Sequence, residues 1–529
     1  MSLPPLRDPV RLELFTNRFA GIARDMGEML RRTALSTNVK ERLDFSCALL
    51  DPGGGLVVNA PHIPVHLGAL GLCVRRVAAA LDLAPGDVAV TNHPGYGGSH
   101  LPDVTVITPV HAAPAGGPPR LLGYAASRAH HAEIGGTRPG SMPPDATCLE
   151  EEGVVLPPVR LLERGAPRWD EVRRRLAEAP YPSRASEENL ADLAAAVAAN
   201  RRGAEALRRL AEAEGAEAVA AAMAGLEARA EGLLRRALDR LRRARPAGRR
   251  EAEERLDDGS PIRVAVEIAG EGDTARARID FSGSAGVHPG NLNATPAVVR
   301  SAVLYVLRLL VGEPLPLNEG LARPVELVVP PGLLAPPFPD DPRRCPAVVG
   351  GNVETSQRIV DTLLAALGLA ACSQGTMNNV LFGDGRFAYY ETVAGGCGAG
   401  PGFAGASAVH SHMTNTRATD PEVLELRYPV RLERFAVRRG SGGAGRWPGG
   451  DGVVRELTFL APLALSLLTQ HRREAPYGGD GGAPGARGRQ RVLRAGGEAV
   501  ELGPVDGCDV SPGDRLLLET PGGGGWGRS

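Results

Sequence analysis

The sequence predicts a mixed α/β (α+β) fold, a large multi-lobed body with glycine-rich β regions and a long helical hairpin inserted in the middle. Three observations predict it. Apolar residues switch repeatedly between helical and strand spacing, the stretch 184–256 is dominated by Ala, Arg, Glu and Leu, and most of the 68 glycines crowd around apolar strands in the C-terminal half. A chain of 529 residues exceeds one ordinary core. We therefore expect three segments: an N-terminal α/β lobe over 1–183 that carries the candidate site, a helical segment over 184–256, and a glycine-rich α/β lobe over 257–529.

In order along the chain, residues 9–35 place Leu12, Phe15, Phe19, Ile22, Met26 and Leu30 at intervals of three and four, the stripe of an amphipathic helix. CALLD and GLVVNA, split by the turn Pro52 to Gly55, predict a hairpin that leads into a proline-broken loop at His62 to His66. LGALGLCVRRVAAALDL predicts a second helix ended by Pro85-Gly86. DVAVTN and DVTVITPVH predict strands flanking a glycine-rich loop, AAPAGGPP a surface turn, and LLGYAAS another strand. The Ala/Arg/Glu/Leu stretch predicts a helical hairpin on the outside of the body. RVAVEIAG and ARARIDFSG resume strand alternation, and TPAVVRSAVLYVLRLLVG predicts a buried helix. In the C-terminal half, strands such as VVRELTFL and DRLLLET alternate with runs like GSGGAGRWPGGDG and PGGGGWG, which implies positive-φ turns and close backbone packing.

Composition narrows the function. The formal charge of -1 supplies no basic field for nucleic acid or an anionic membrane. No apolar run approaches the ~20 residues of a bilayer span, and MSLPPLRDPV lacks a signal pattern, so a cytoplasmic location is expected. Seven dispersed cysteines without a CxxC fit reduced, buried thiols. Lys40 is the only lysine, and no GxxxxGK[ST] phosphate loop surrounds it. Nucleotide chemistry thus needs another fold or another subunit.

Seven of the eleven histidines lie between His62 and His131, six of them in HIPVH, NHPGYGGSHLPD and SRAHHAEIGG, beside Asp103 and Glu133. Imidazole and carboxylate on short broken loops are the raw material of a metal site. In SHLPD, Pro102 blocks a regular helix, so His100 and Asp103 leave one tight turn; the plainer reading makes Asp103 a turn cap. His130 and His131 follow a strand and point to opposite faces, so at most one of them faces the same centre. Asp44, near Arg42 and Lys40, pairs either with those cations or with a metal. His62 and His66 have helical spacing, but Pro61 and Pro64 argue against a helix and no glutamate follows His62, so the HExxH pattern fails. His410 and His412 read as strand neighbours on one face, and Glu354 as a cap or a core hydrogen-bonding group.

KERLDFSCALLD, HIPVHLGAL, NHPGYGGSHLPDVTVITPV, SRAHHAEIGGTRPGSMP, EEGVVLPPV, GGNVETSQRIVD, VHSHMTNTR, GSGGAGRWPGGDGVVRE and TPGGGGWG, in this order, resemble the hydantoinase B/oxoprolinase family from about residue 9 onward. The resemblance implies a B-type subunit of an ATP-dependent amidohydrolase, in which a separate hydantoinase A-type subunit binds ATP and activates the carbonyl of a hydantoin, oxoproline or lactam. It also implies a hetero-oligomer. The family's metal-ligand pattern maps onto Asp44, His100, Asp103 and His130, with His131 and Lys40 orienting substrate or water. Such ligands suit zinc first, or iron or manganese. One departure stands out: relatives read NDPY where this chain has NHPGY, which makes His93 an extra ligand or a tuning group. Two other readings are an ATP-dependent ketone carboxylase subunit and a non-catalytic assembly partner.

Overall fold

The computed structural model describes residues 4–59, 63–112, 119–246 and 248–528. The opening helix runs over Pro9–Thr33, with Asp8 accepting from the amides of Val10 and Arg11. The predicted stripe, Leu12 to Leu30, is its buried face. It lies against a seven-stranded sheet built from β1 (Phe45–Leu50), β2 (Leu56–Asn59), β3 (Val88–Thr91), β4 (Asp103–His111), β5 (Leu121–His130), β6 (Val159–Glu163) and β7 (Ala166–Pro167). Their order across the sheet is β2-β1-β5-β4-β3-β6-β7, and every pair is antiparallel.

Helices cover both faces of this sheet, so its central strands are buried on both sides. Phe45, Cys47 and Leu49 of β1 and Val104 and Val106 of β4 join one core with the opening helix and the helix Ser186–Glu214. Ala48, Leu50, Ile107 and Ala126 join the other core with the helices Pro64–Leu81 and Pro296–Val311. Strand alternation alone sorts these residues.

Three sequence expectations need correction. The helix over Pro64–Leu81 begins at Pro64, because proline lacks the N–H that a first helical residue leaves unpaired in any case. His66 therefore sits in a first turn; His62, and most of the AAPAGGPP turn, lie outside the described residues. The helical hairpin, Ser186–Glu214 and Ala216–Ala244, is a layer over the sheet, tied to it by Asn200 Nδ2 donating to the carbonyl of Val106 at 2.9 Å. It also ends before residue 256: β8 (Arg249–Arg255) pairs with β9 (Pro261–Ala269), then come β10 (Arg276–Asp280) and β11 (Val325–Val328) in a four-stranded sheet.

The C-terminal portion contains two further sheets. One orders Ala388–Thr392, Asn379–Gly383, Leu463–Leu468 and Val505–Val510; the other has five strands, including Gly452–Phe459 and Arg515–Glu519. Around the terminal PGGGGWG, backbone segments lie side by side. Gly523 donates to Gly450, Gly524 to Cys372 and Gly525 to Ala483, and a Cβ on Gly523 would fall 1.9 Å from the Cys397 carbonyl oxygen. Close approach rather than left-handed backbone requires glycine there, since Gly527 alone of that tail has a positive φ. All seven cysteines are free.

Gly68 marks the closest contact between the helices Pro64–Leu81 and Pro296–Val311, where an added Cβ would meet the Ser301 amide nitrogen at 2.7 Å. Gly68→Val is expected to destabilise the fold by about 1–3 kcal/mol through overpacking, read as a lowered thermal midpoint. An unchanged midpoint would show that the two helices separate freely.

Candidate metal centre

Register places three of the expected residues in a row. Asp103, the first residue of β4, pairs directly with His130, the last of β5, and Phe45 of β1 pairs with Ala129 on β5's other side. Asp44 is thereby set opposite His130, whose amide donates to the Asp44 carbonyl at 3.0 Å. Counting by twos from core residues puts Asp44 with Ala48 and Leu50, Asp103 with Ile107, and His130 with Ala126, all toward the helix Pro64–Leu81. That helix delivers His66 from its first turn.

The loop that returns to β4 is held from inside. The Asn92 side-chain amide donates to the carbonyls of Leu101 and Val154 and accepts from Leu156, while Arg128 of β5 reaches the carbonyl of Gly97 at 3.0 Å. These bonds fold the glycine loop back so that His100 comes beside Asp103.

Asp103 is the hub. His100 Nε2 lies 3.3 Å and His130 Nδ1 3.5 Å from its Oδ1, and His66 Nε2 lies 3.3 Å from its Oδ2. Ser99 donates to Oδ2, and Ser46 meets Nδ1 of His66 at 3.1 Å. Asp44 Oδ2 stands 4.0 Å from His130 Nδ1. His100, Asp103 and His130 offer ligand atoms within 4.8 Å of one another, while Asp44 stands at the edge of that group. Burial pushes the Asp103 carboxyl up, but the neighbouring His100 and His66 outweigh it and hold the group well below the usual carboxylate range. Burial lowers His130, which favours the neutral imidazole that a ligand must be.

A turn cap does not account for this arrangement. Both ring nitrogens of His100, Nε2 of His130 and Oδ1 of Asp103 are buried without a hydrogen-bond partner. Single atoms of this kind occur in native interiors, but here four gather in one cluster. A divalent cation fits a set of two imidazoles and a carboxylate.

The remaining expected residues are placed elsewhere. His131 turns to the opposite face, where Nδ1 meets Asn189 Nδ2 at 3.0 Å. Lys40 is half-buried at the end of the short helix Thr37–Lys40, and among the described residues no side-chain hydrogen bond or ion pair ties it to the cluster. Arg42 is not the partner of Asp44: it donates to the Tyr390 carbonyl at 2.6 Å and to Thr416 at 3.1 Å. His93 accepts from the Gly95 amide at 2.9 Å as a turn cap and sits edge-on to Tyr96 and Phe338. His410 and His412 lie outside any strand, and His412 has φ 54°. Glu354 is a core acceptor, as expected, for Met377 N and Asn379 Nδ2.

Sequence reasoning missed two neighbours. Tyr390 stacks on His130 with ring centres 4.5 Å apart, and the Arg42 guanidinium lies over the same tyrosine ring, 4.7 Å from its centre. Nothing local in FAYYET marks it. His66 had a signal, its spacing from His62, which the prolines obscured.

The family model described as Hydantoinase B/oxoprolinase matches residues 8–529. The chain belongs to this family. It is 45% identical to 5-oxoprolinase 1 of Arabidopsis thaliana over 98% of its own length and 42% of that protein's. It thus spans less than half the length of this relative, in which the matched region is part of one longer polypeptide, so the expected separate A-type subunit gains no support there. Among solved structures, the ATP-dependent caprolactamase from Pseudomonas jessenii superposes with a TM-score of 0.86 at 27% identity, covering 99% of this chain and 91% of that one. Acetone carboxylase in its nucleotide-free structure shares the fold, with a TM-score of 0.83 at 18% identity over 99% and 76% of the two chains.

Two outcomes test the geometry. Ser99→Ala, which frees one oxygen of Asp103, is expected to weaken metal affinity about 10–100-fold in a competition titration. His93→Asp should leave metal content unchanged, because aspartate caps the same turn and position 93 lies off the cluster; a changed content would return His93 to the ligand set.

Proposed function

We propose that the chain supplies the metal-dependent half of an ATP-dependent hydrolase of cyclic amides, such as a hydantoin, oxoproline or lactam. The observation that carries this reading is the convergence of unpartnered, buried donor atoms around Asp103 in a member of the hydantoinase B/oxoprolinase family. ATP binds outside these 529 residues, on a partner subunit of the hydantoinase A type or on another part of a longer polypeptide. The terminal phosphoryl group passes to the amide carbonyl oxygen, water adds to the activated carbon, the ring C–N bond breaks with the nitrogen leaving as the amine, and a second water hydrolyses the resulting acyl phosphate to carboxylate and phosphate.

Asp103, His100 and His130 hold the cation, zinc by preference or else iron or manganese, and Asp44 completes the set from the neighbouring strand. A divalent ion there supplies Lewis acidity toward an oxygen at the reacting carbon. The protein's own groups do the positioning. Ser99 and Ser46 fix Asp103 and His66, while Tyr390 packs flat on His130 and shields one face of the cluster from water. His131, bonded to Asn189 on the opposite face of β5, anchors the end of that strand.

Elemental analysis of the wild type and Asp103→Ala, both checked by circular dichroism, tests the centre: the variant should lose one metal equivalent per chain. With the ATP-binding part supplied, the wild type should open a cyclic amide with ATP and without bicarbonate, and Asp103→Ala should be slower by more than about 100-fold, beyond the effect typical of an outer partner. Turnover that requires bicarbonate would assign the carboxylase reading. Equal metal in both proteins, with only a lowered melting temperature in the variant, would assign an assembly role.

A further inference from the structure

A second buried donor cluster lies far along the chain from the first. Glu254 of β8, Cys372 beyond the helix Ser356–Leu367, and His471 beyond the strand Leu463–Leu468 bring ligand atoms within 4.8 Å of one another. Cys372 Sγ stands 3.4 Å from His471 Nε2 and 3.7 Å from Glu254 Oε1, and His471 Nε2 stands 3.5 Å from the same oxygen. All three residues are buried.

Several features show that the imidazole is presented on purpose. His471 Nδ1 meets the Glu474 carbonyl at 2.9 Å and, because a carbonyl only accepts, donates to it; Nε2 is the nitrogen left facing Cys372 and Glu254, and in the neutral ring it carries the lone pair. The residue holds φ 56°, a conformation uncommon outside glycine. A Cβ at Gly375 would strike the ring at 2.5 Å, so the chain keeps that position bare for it. A fourth group faces the same space: the fully buried Asp361 leaves Oδ2 without a hydrogen-bond partner, and its charge acts on Cys372. Burial and the carboxylates of Asp361 and Glu254 push the thiol well up. Arg358, with Nε 2.9 Å from Glu254, also lies in the field of Asp257 and Asp361 and provides the outer contact that ligating carboxylates usually have.

We propose that Glu254, Cys372 and His471, with Asp361 as the nearest further donor, form a second, structural site for a zinc-like divalent cation, distinct from the Asp103 centre. Thiolate, imidazole and carboxylate together select such an ion. Binding forms a sulfur–metal bond and releases the thiol proton to solvent. The site joins the β8–β11 sheet to the glycine-packed region, since the Cys372 carbonyl accepts from Gly524 and its amide donates to the Tyr477 carbonyl.

The two sites are separable because no thiol belongs to the Asp103 group. The full chain, stripped by chelator and loaded anaerobically with cobalt(II), should show a near-ultraviolet thiolate-to-cobalt charge-transfer band. That band should persist in Asp103→Ala and vanish in Cys372→Ser, which should also bind one zinc fewer. Cobalt-loaded wild type without the band would overturn the proposal and leave a hydrogen-bonded thiol–imidazole pair, whether or not Cys372→Ser folds. Survival of the band in a folded Cys372→Ser would overturn it equally.

Discussion

The pairing of β5 between β1 and β4 is the constraint on which the rest depends. It sets Asp44, His130 and Asp103 on three adjacent strands at one level and on one face. A slip of one residue would turn His130 to the face now taken by His131 and carry Ala125 and Ala129 into the wrong core. Because helices cover both faces, such a slip would force side chains of the wrong size and shape into each of two packed cores. The register that buries the core is the register that builds the centre.

A cluster of this kind is costly to bury. An ionised carboxylate in the interior loses several kcal/mol of solvation unless charge and hydrogen bonds replace it. Ser99 and the three imidazoles replace part for Asp103, and the unpartnered nitrogens of His100 and His130 mark what protein groups leave undone. The C-terminal portion contributes as well. Tyr390, from the strand Ala388–Thr392, packs against both His130 and Arg42, so the centre is completed only when the C-terminal portion packs on the N-terminal sheet. The N-terminal sheet holds the donors, but it does not enclose them alone.

Local rules made much of this legible. The stripe from Leu12 to Leu30, the hairpin around Pro52, and the tight turn carrying His100 and Asp103 followed from spacing; strand alternation limited the centre to one of His130 and His131, and the family resemblance pointed to His130. What escaped depended on partners distant in sequence. Pro64 read as a breaker, although at a first helical position it is an initiator, and His66 was lost with it. EAEER looked helical from composition, but its backbone pairs with β9. His410 and His412 looked like a strand, whereas His412 turns through a positive φ to reach Asp361 at 2.9 Å. Tyr390 lies some 260 residues from His130 in sequence, and no local pattern registers that distance.

The glycine-packed region poses the opposite problem from the metal centre. Its backbones approach so closely that side chains are excluded, which removes the hydrophobic gain that usually offsets ordering, while glycine loses more freedom on folding than other residues. Hydrogen bonds between segments carry it, together with a small apolar contact of Trp526 with Ala371, Ala399 and Trp447. Such bonds contribute only about 0.5–1.5 kcal/mol each, net of water. The region therefore needs anchorage at its margins, where backbone meets well-packed structure. Cys372 is such a margin: its backbone accepts from Gly524 while its side chain lies against Glu254 and His471 on two other elements. A cross-link there fixes three segments at once, where the glycine backbones have no side chains of their own to do so.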